Sequence, residues 1–146
     1  MMRRVETGEQ HVGEVSLEMF QGSRFKEKGY LDRALEIVHE GIEALKVGKD
    51  EPLHICRGYI LSRAREELEA QGYNVVHKKI EGKTQELAEK EFIRSLVRLG
   101  VGEEGEVAKM RSFNAFLDWL HGDLDARESF VKTGWRAWPR LRGDRG

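Results

Sequence analysis

The sequence predicts an α/β protein: a small, mainly parallel sheet of three to five strands, with crossover helices and C-terminal helices packed on it. Three observations carry that prediction. Strand-like alternation and helix-like stripes follow one another in the order strand, helix, strand, helix, strand, helix, helix, an alternation that favours parallel strands joined by right-handed crossovers. Each passage from strand to helix carries glycine, a cation and a hydroxyl residue: Gly22-Ser23-Arg24 with Lys26, Arg57-Gly58 with Ser62, and Gly82-Lys83-Thr84. At 146 residues, 39% hydrophobic and 35% charged, the chain can bury a core without disulfides or metal.

Residues 1–10 are polar and read either as frayed or as one arm of a hairpin turning at Gly8-Glu9. From Val12 to Met19 the pattern alternates, with Val15, Leu17 and Met19 opposed to Glu14, Ser16 and Glu18, which predicts a half-buried strand. Gly22 through Gly29 reads as a basic loop. Leu31, Ala34, Leu35, Val38, Ile42 and Leu45 then fall on one stripe, so a helix is expected from about Tyr30 to Val47, stopped by Gly48. Leu53–Cys56 is expected as a second strand, entered after Pro52.

Ser62 is placed as the N-cap of a helix running to Gln71 and closed by Gly72. Tyr73–Ile80 alternates again as a third strand, and Thr84 is expected to cap a long helix to Leu99. That helix has Ala88, Phe92, Leu96 and Leu99 on its stripe and a Glu86–Lys90 pair at helical spacing. After a hinge at Gly102–Gly105, Val107, Met110, Phe113, Phe116, Leu117 and Leu120 mark one further helix. Residues 1–125 are read as a single α/β domain. Residues 126–146 are read as a basic, tryptophan-containing tail docked on the domain or on a partner subunit. Pro139 argues against a helix continuing past Trp138.

Charge narrows the function classes. With 25 basic and 26 acidic residues, no global field draws nucleic acid to the whole molecule. The tail differs, holding Arg127, Lys132, Arg136, Arg140, Arg142 and Arg145 against Glu128 and Asp144. Cys56 is the only cysteine, which excludes an internal disulfide and suits a reducing compartment. No apolar run approaches the roughly 18 residues of a membrane span, so a cytoplasmic protein without a membrane partner is expected. Glu outnumbers Asp 20 to 6, a bias that resembles proteins from hot environments.

If the three strands lie side by side, their loops gather on the carboxyl edge, where open α/β sheets bind ligands. Ser23, Arg24, Lys26, Arg57, Gly58, Gly82, Lys83 and Thr84 are therefore the expected anion-binding set, because helix N-termini and cations both attract negative charge. Gly82-Lys83-Thr84 is similar to the end of a phosphate-binding P-loop. That motif needs a glycine where this chain has His77, so a nucleoside-triphosphate loop is excluded.

Cys56 beside Arg57 has the placement of a phosphatase nucleophile. Arg63 lies one residue too far for that chemistry, and Tyr59-Ile60-Leu61 is bulky, which favours an inert thiol at a strand end. The five histidines are scattered without zinc spacing. Glu36, His39 and Glu40 share a helical turn but read as a solvated face, and neither a metal nor a cofactor is expected. No Gly-x-Ser-x-Gly elbow is present. In the tail, Trp135, Arg136, Trp138, Arg140 and Arg142 interleave rings with cations. That chemistry suits single-stranded nucleic acid, and it equally suits docking or dimer packing with Arg heads in water.

Ile42-Glu43-Ala44-Leu45-Lys46 and Ile80-Glu81-Gly82-Lys83-Thr84-Gln85-Glu86, within the element order from Val12 to Leu99, resemble the second half of the ribonuclease H fold. The resemblance implies a nuclease that holds two divalent ions with carboxylates. Arg57 and Gly58 stand where one of those carboxylates belongs, and the family's first strands shrink to Arg3–Thr7. Nuclease activity is therefore expected to be absent.

The leading expectation is a non-catalytic protein binding an anionic partner, either nucleic acid or a phosphorylated small molecule. A metal-dependent nuclease using Glu18, Glu36, Glu86 and Glu89, or a small hydrolase using Cys56, is the enzymatic alternative. A homodimer formed through Phe116, Trp119, Trp135 and Trp138 is the structural one.

Overall fold

The computed structural model describes residues 1–143; Asp144 and Arg145 of the basic tail lie outside the described residues. The chain is mixed α/β, and it folds as two compact units built from interleaved segments. Unit 1 holds Met1–Val15 and Lys28–Glu89; unit 2 holds Ser16–Glu27 and the chain from Lys90 onward.

Unit 1 begins with an antiparallel hairpin of β1 (Met2–Arg3) and β2 (Gln10–His11), paired Met2↔His11 and Arg3↔Gln10. Its turn is closed by the Gly8 N–H on the Arg4 carbonyl and the Arg4 N–H on the Glu9 carbonyl, so the hairpin reading of residues 1–10 holds. Helix α2 (Gly29–Ala44) buries Leu31, Ala34 and Ile42 of the expected stripe, together with Tyr30. It follows the single helical turn α1 (Arg24–Glu27), which belongs to unit 2 and stands inside the segment read as a basic loop. The α2 stop is Lys46, in the left-handed region at φ 51, rather than Gly48. The Lys46 N–H reaches Glu43 and the Val47 N–H reaches Ile42, the two bonds of a Schellman cap.

Strand β3 (Leu53–Ile55), helix α3 (Ser62–Ala70) and strand β4 (Val75–His77) form a strand–helix–strand unit. The two strands are parallel, in register Leu53↔Val75, His54↔Val76 and Ile55↔His77. Leu53 and Ile55 face inward while His54 faces water, and both meet Leu68 of α3 and Ile42 of α2 in the core. Val38, Val47, Leu61, Tyr73 and Val75 complete that core.

Several expectations are corrected. Val12–Met19 is not a strand: Leu17–Phe20 is a 3-10 helix, and the Met19 and Gln21 N–H groups bond the nearby carbonyls of Ser16 and Glu18. Gly13 packs so closely that a Cβ there would stand 2.4 Å from Ile37 Cγ2. Gly13 is thus held against α2, and the stretch from Ser16 to Gln21 is held by its own turns, leaving no ladder to join. The parallel sheet has two strands among the described residues, not three to five. The third expected strand, Tyr73–Ile80, contributes only Val75–His77.

The two predicted caps also move inward. A 3-10 turn at Tyr59–Leu61 runs into α3, so Ser62 is already helical and makes no capping bond. Gly82, at φ 69, opens α4 (Lys83–Arg98), which leaves Thr84 as its second residue.

Unit 2 contains the later part of α4, which ends in a second Schellman cap at Gly100, with Gly100 N–H on Val97 and Val101 N–H on Leu96. The single helix expected after Gly105 is two. In α5 (Glu104–Val107) the Glu106 carboxylate reaches back to the Glu103 N–H at 3.4 Å. Ser112 then starts α6 (Phe113–Gly122) by accepting from the Ala115 N–H, and a new cap means a new helix. Next come α7 (Leu124–Arg127) and a 3-10 turn at Glu128–Phe130.

The last described element is α8 (Trp138–Gly143). Pro139 sits in its first turn, where no N–H is required of it, so the proline begins this helix instead of forbidding it. Among the described residues of unit 2, Phe20, Val101, Val107, Leu120 and Trp138 are buried. Among the described residues, no helix is long and apolar enough to cross a membrane.

Candidate anion-binding cleft

The parallel pairing of β3 and β4 puts two chain exits side by side. Cys56 and Arg57 leave β3 where Lys78 and Lys79 leave β4, and the Lys78 N–H on the Ile55 carbonyl (3.0 Å) ties the exits together. Between them lies a cleft of about 760 Å³, walled by Cys56 and Arg57 on one side and by the run from His77 to Gly82 with Gln85 on the other. Its floor is thus the carboxyl end of a parallel pair, the location open α/β sheets use for ligands.

The loop after β3 is braced by Arg65 of α3, whose guanidinium donates to the carbonyls of Cys56 (2.6 Å) and Gly58 (3.0 Å). On the wall, Lys79 pairs with Glu81 at 2.8 Å, and His77 Nε2 lies 2.5 Å from Glu69 Oε1. Arg57 and Lys78 are exposed and form no ion pair or side-chain hydrogen bond among the described residues. Two unmatched cations on a concave wall favour negative charge there. Gly82 adds the start of α4, whose first N–H groups have no partner inside the helix.

The expected site residues divide. Arg57 and Gly82 line the cleft, with Gly58 next to Arg57 in the braced loop. Lys83 and Thr84 do not line it: Lys83 turns to Glu86 at 3.5 Å, and Thr84 lies within the helix. Ser23, Arg24 and Lys26 belong to unit 2, where Arg24 pairs with Glu18 at 3.0 Å. With no strand at Val12–Met19, no sheet carries that third loop to the edge occupied by Arg57.

Sequence reasoning missed His77, Lys78 and Lys79 because it extended the third strand to Ile80, and missed Gln85 because it placed that residue only within the long helix. The doubled lysine after Val75-Val76-His77 was the available sign that the strand had ended. Arg65 left no sign, since only the folded loop brings two carbonyls to it.

The acidic residues weighed for metal binding are engaged elsewhere. Arg33 holds both Glu36 (3.0 Å) and Glu40 (2.8 Å), and its hydrogen bond keeps the Glu40 carboxyl below the usual range. Glu86 takes Lys83, and Glu89 accepts from Gln85 at 3.1 Å. Among the described residues, no group of three or more His, Cys, Asp or Glu is arranged to hold a metal ion. Cys56 is half-buried and forms no disulfide.

The tail residues divide too. Trp138 is 6% exposed and donates from Nε1 to Glu128 (3.2 Å), and Arg142 Nε donates to the same oxygen at 2.9 Å. Trp135, Arg136 and Arg140 are exposed. Compared with family models, curated proteins and solved structures, the chain matches none.

Proposed function

We propose that this chain is a non-catalytic binding protein for a phosphate-bearing ligand, a phosphorylated small molecule or a nucleic acid backbone, held at the carboxyl edge of β3 and β4. The observation that carries the reading is the pair of unmatched cations, Arg57 and Lys78, on the wall of one cleft. Gly82 and the unpaired N–H groups opening α4 supply neutral donors of the kind that phosphate oxygens accept. The resemblance to ribonuclease H-like folds belongs to the same proposal. A chain with a cation at the strand end, where that family keeps a metal-binding carboxylate, binds anions instead of cutting with metal.

Titration with inorganic phosphate, a mononucleotide and an oligonucleotide, followed by amide chemical shifts, tests this. Shifts are expected at Arg57, Lys78 and Gly82, with affinity that falls as salt rises. Arg57→Ala and Lys78→Ala should each weaken binding by about tenfold, the loss of one charge-assisted hydrogen bond. A mononucleotide that binds as well as the oligonucleotide identifies a small-molecule site; the reverse identifies a backbone site. Shifts confined to other residues, or none at low salt, would refute the proposal.

A further inference from the structure

We propose that unit 2 carries a second, separate ligand surface: a platform of aromatic rings that stacks the bases of single-stranded nucleic acid. Phe92, Phe113 and Trp135 are 53%, 56% and 44% exposed, an unusual outlay of large apolar side chains on one unit. They belong to two edge-to-face pairs. Phe113 and Trp135 meet edge to face with centroids 6.3 Å apart, and Phe92 meets Phe116 in the same way at 6.3 Å. Phe113 and Phe116 are one turn apart on α6, which places them on one face. The two pairs therefore share one face of α6.

Charge selects the occupant. Between Val107 and Leu117, the segment carrying Phe113 and Phe116, the charged residues are Lys109 and Arg111. Between Ser129 and Gly143, the segment carrying Trp135, they are Lys132, Arg136, Arg140 and Arg142. Neither stretch contains an acid, although Arg142 is paired with Glu128 just before the second; the third segment, around Phe92, carries Glu89 and Glu91, the latter paired with Arg94. Arg111, Arg136 and Arg140 are exposed and form no ion pair among the described residues. A second copy of this chain on the same face would set these cations against their own duplicates, since a two-fold interface is self-complementary. A phosphate backbone neutralises them while its bases cover the rings. A single strand is required because a duplex hides its base faces.

The test is binding of a labelled oligothymidylate to the full chain at low salt, by fluorescence anisotropy, with thermal unfolding of each variant as the check on folding. Binding is expected to weaken about 5- to 100-fold in Trp135→Ala and in Phe113→Ala, and to be largely kept in Trp135→Phe. Arg136→Ala and Arg140→Ala should each flatten the dependence of log affinity on log salt by about 0.7. A matched duplex should bind more weakly than the single strand.

Absence of binding, or equal affinity for duplex and single strand, would overturn the platform. Loss of binding in Arg57→Ala with full retention in Trp135→Ala would move the nucleic acid to the cleft of unit 1 and also overturn it. A dimer in sedimentation that Trp135→Ala converts to monomer would assign the surface to a second copy.

Discussion

Lys46 holds a left-handed backbone, φ 51, at the one position of the α2 cap where glycine is the usual occupant. Removing its Cβ relieves that strain, so Lys46→Gly is expected to raise unfolding stability by about 1 kcal/mol, read by urea denaturation. Close by, the Arg4 guanidinium donates to both oxygens of Glu51 (3.1 Å each) and to the Leu45 carbonyl (2.7 Å), joining the hairpin to the end of α2. That hydrogen bond holds the Glu51 carboxyl below the usual range. A carboxyl depressed in the folded state stabilises above its unfolded pKa of about 4.3 and loses that contribution as pH falls through the lower folded value. Stability should therefore decline below about pH 4.3, and Arg4→Ala should make the decline shallower in acid titrations of thermal unfolding. In unit 2, a Cβ on Gly134 would stand 2.2 Å from Phe25 Cβ and 2.6 Å from the Gly22 carbonyl oxygen. Gly134→Ala should cost about 1–3 kcal/mol through overpacking; an unchanged denaturation midpoint would show that this approach is loose in solution.

At the scale of elements, β3, α3 and β4 depend on Leu68, which is fully buried against Leu53, Ile55 and Ile42. Leu68→Ala is expected to cost about 2–5 kcal/mol, measured by chemical denaturation, and to loosen the exits that shape the cleft. The cap after α3 shares this dependence, because the Tyr73 N–H bonds the Leu68 carbonyl while the Tyr73 side chain packs on the same core. Helices α2 and α4 were legible because their apolar stripes repeat over four turns. Strands of three residues offer barely one period of alternation, so their ends were misjudged, and the cleft residues Lys78 and Lys79 were misjudged with them. The Ser62 and Thr84 caps failed for a related reason. A 3-10 turn in one case and a left-handed Gly82 in the other began the helix one or two residues earlier than side-chain chemistry alone suggests.

At the scale of the molecule, the chain leaves unit 1 after Val15, returns at Lys28 and leaves again after Glu89. Unit 2 is thus assembled from two distant stretches. Its seam is specific: the Gln21 side chain donates to the carbonyls of Ser129 (2.5 Å) and Val131 (3.2 Å), and the Gly22 N–H donates to Thr133 Oγ1 (3.1 Å). Truncation at residue 126 removes those partners together with buried Trp138. Hydrogen exchange on the truncated chain should accordingly show lost protection in α6 and around Phe20. Protection kept at both places would mean that the segment from residue 126 onward is dispensable to unit 2.

By itself the sequence determined the long helices and the presence of cations beside the strand ends. Each depends on residues within a turn or two of one another, because a helix closes its own hydrogen bonds. Only the tertiary structure decided that Leu53–Ile55 finds a partner in Val75–His77 while Val12–Met19 finds none, and hence that Arg57 shares its cleft with Lys78. A strand's hydrogen bonds are completed by residues far away in the chain, and alternation along one segment carries no record of which partner is there.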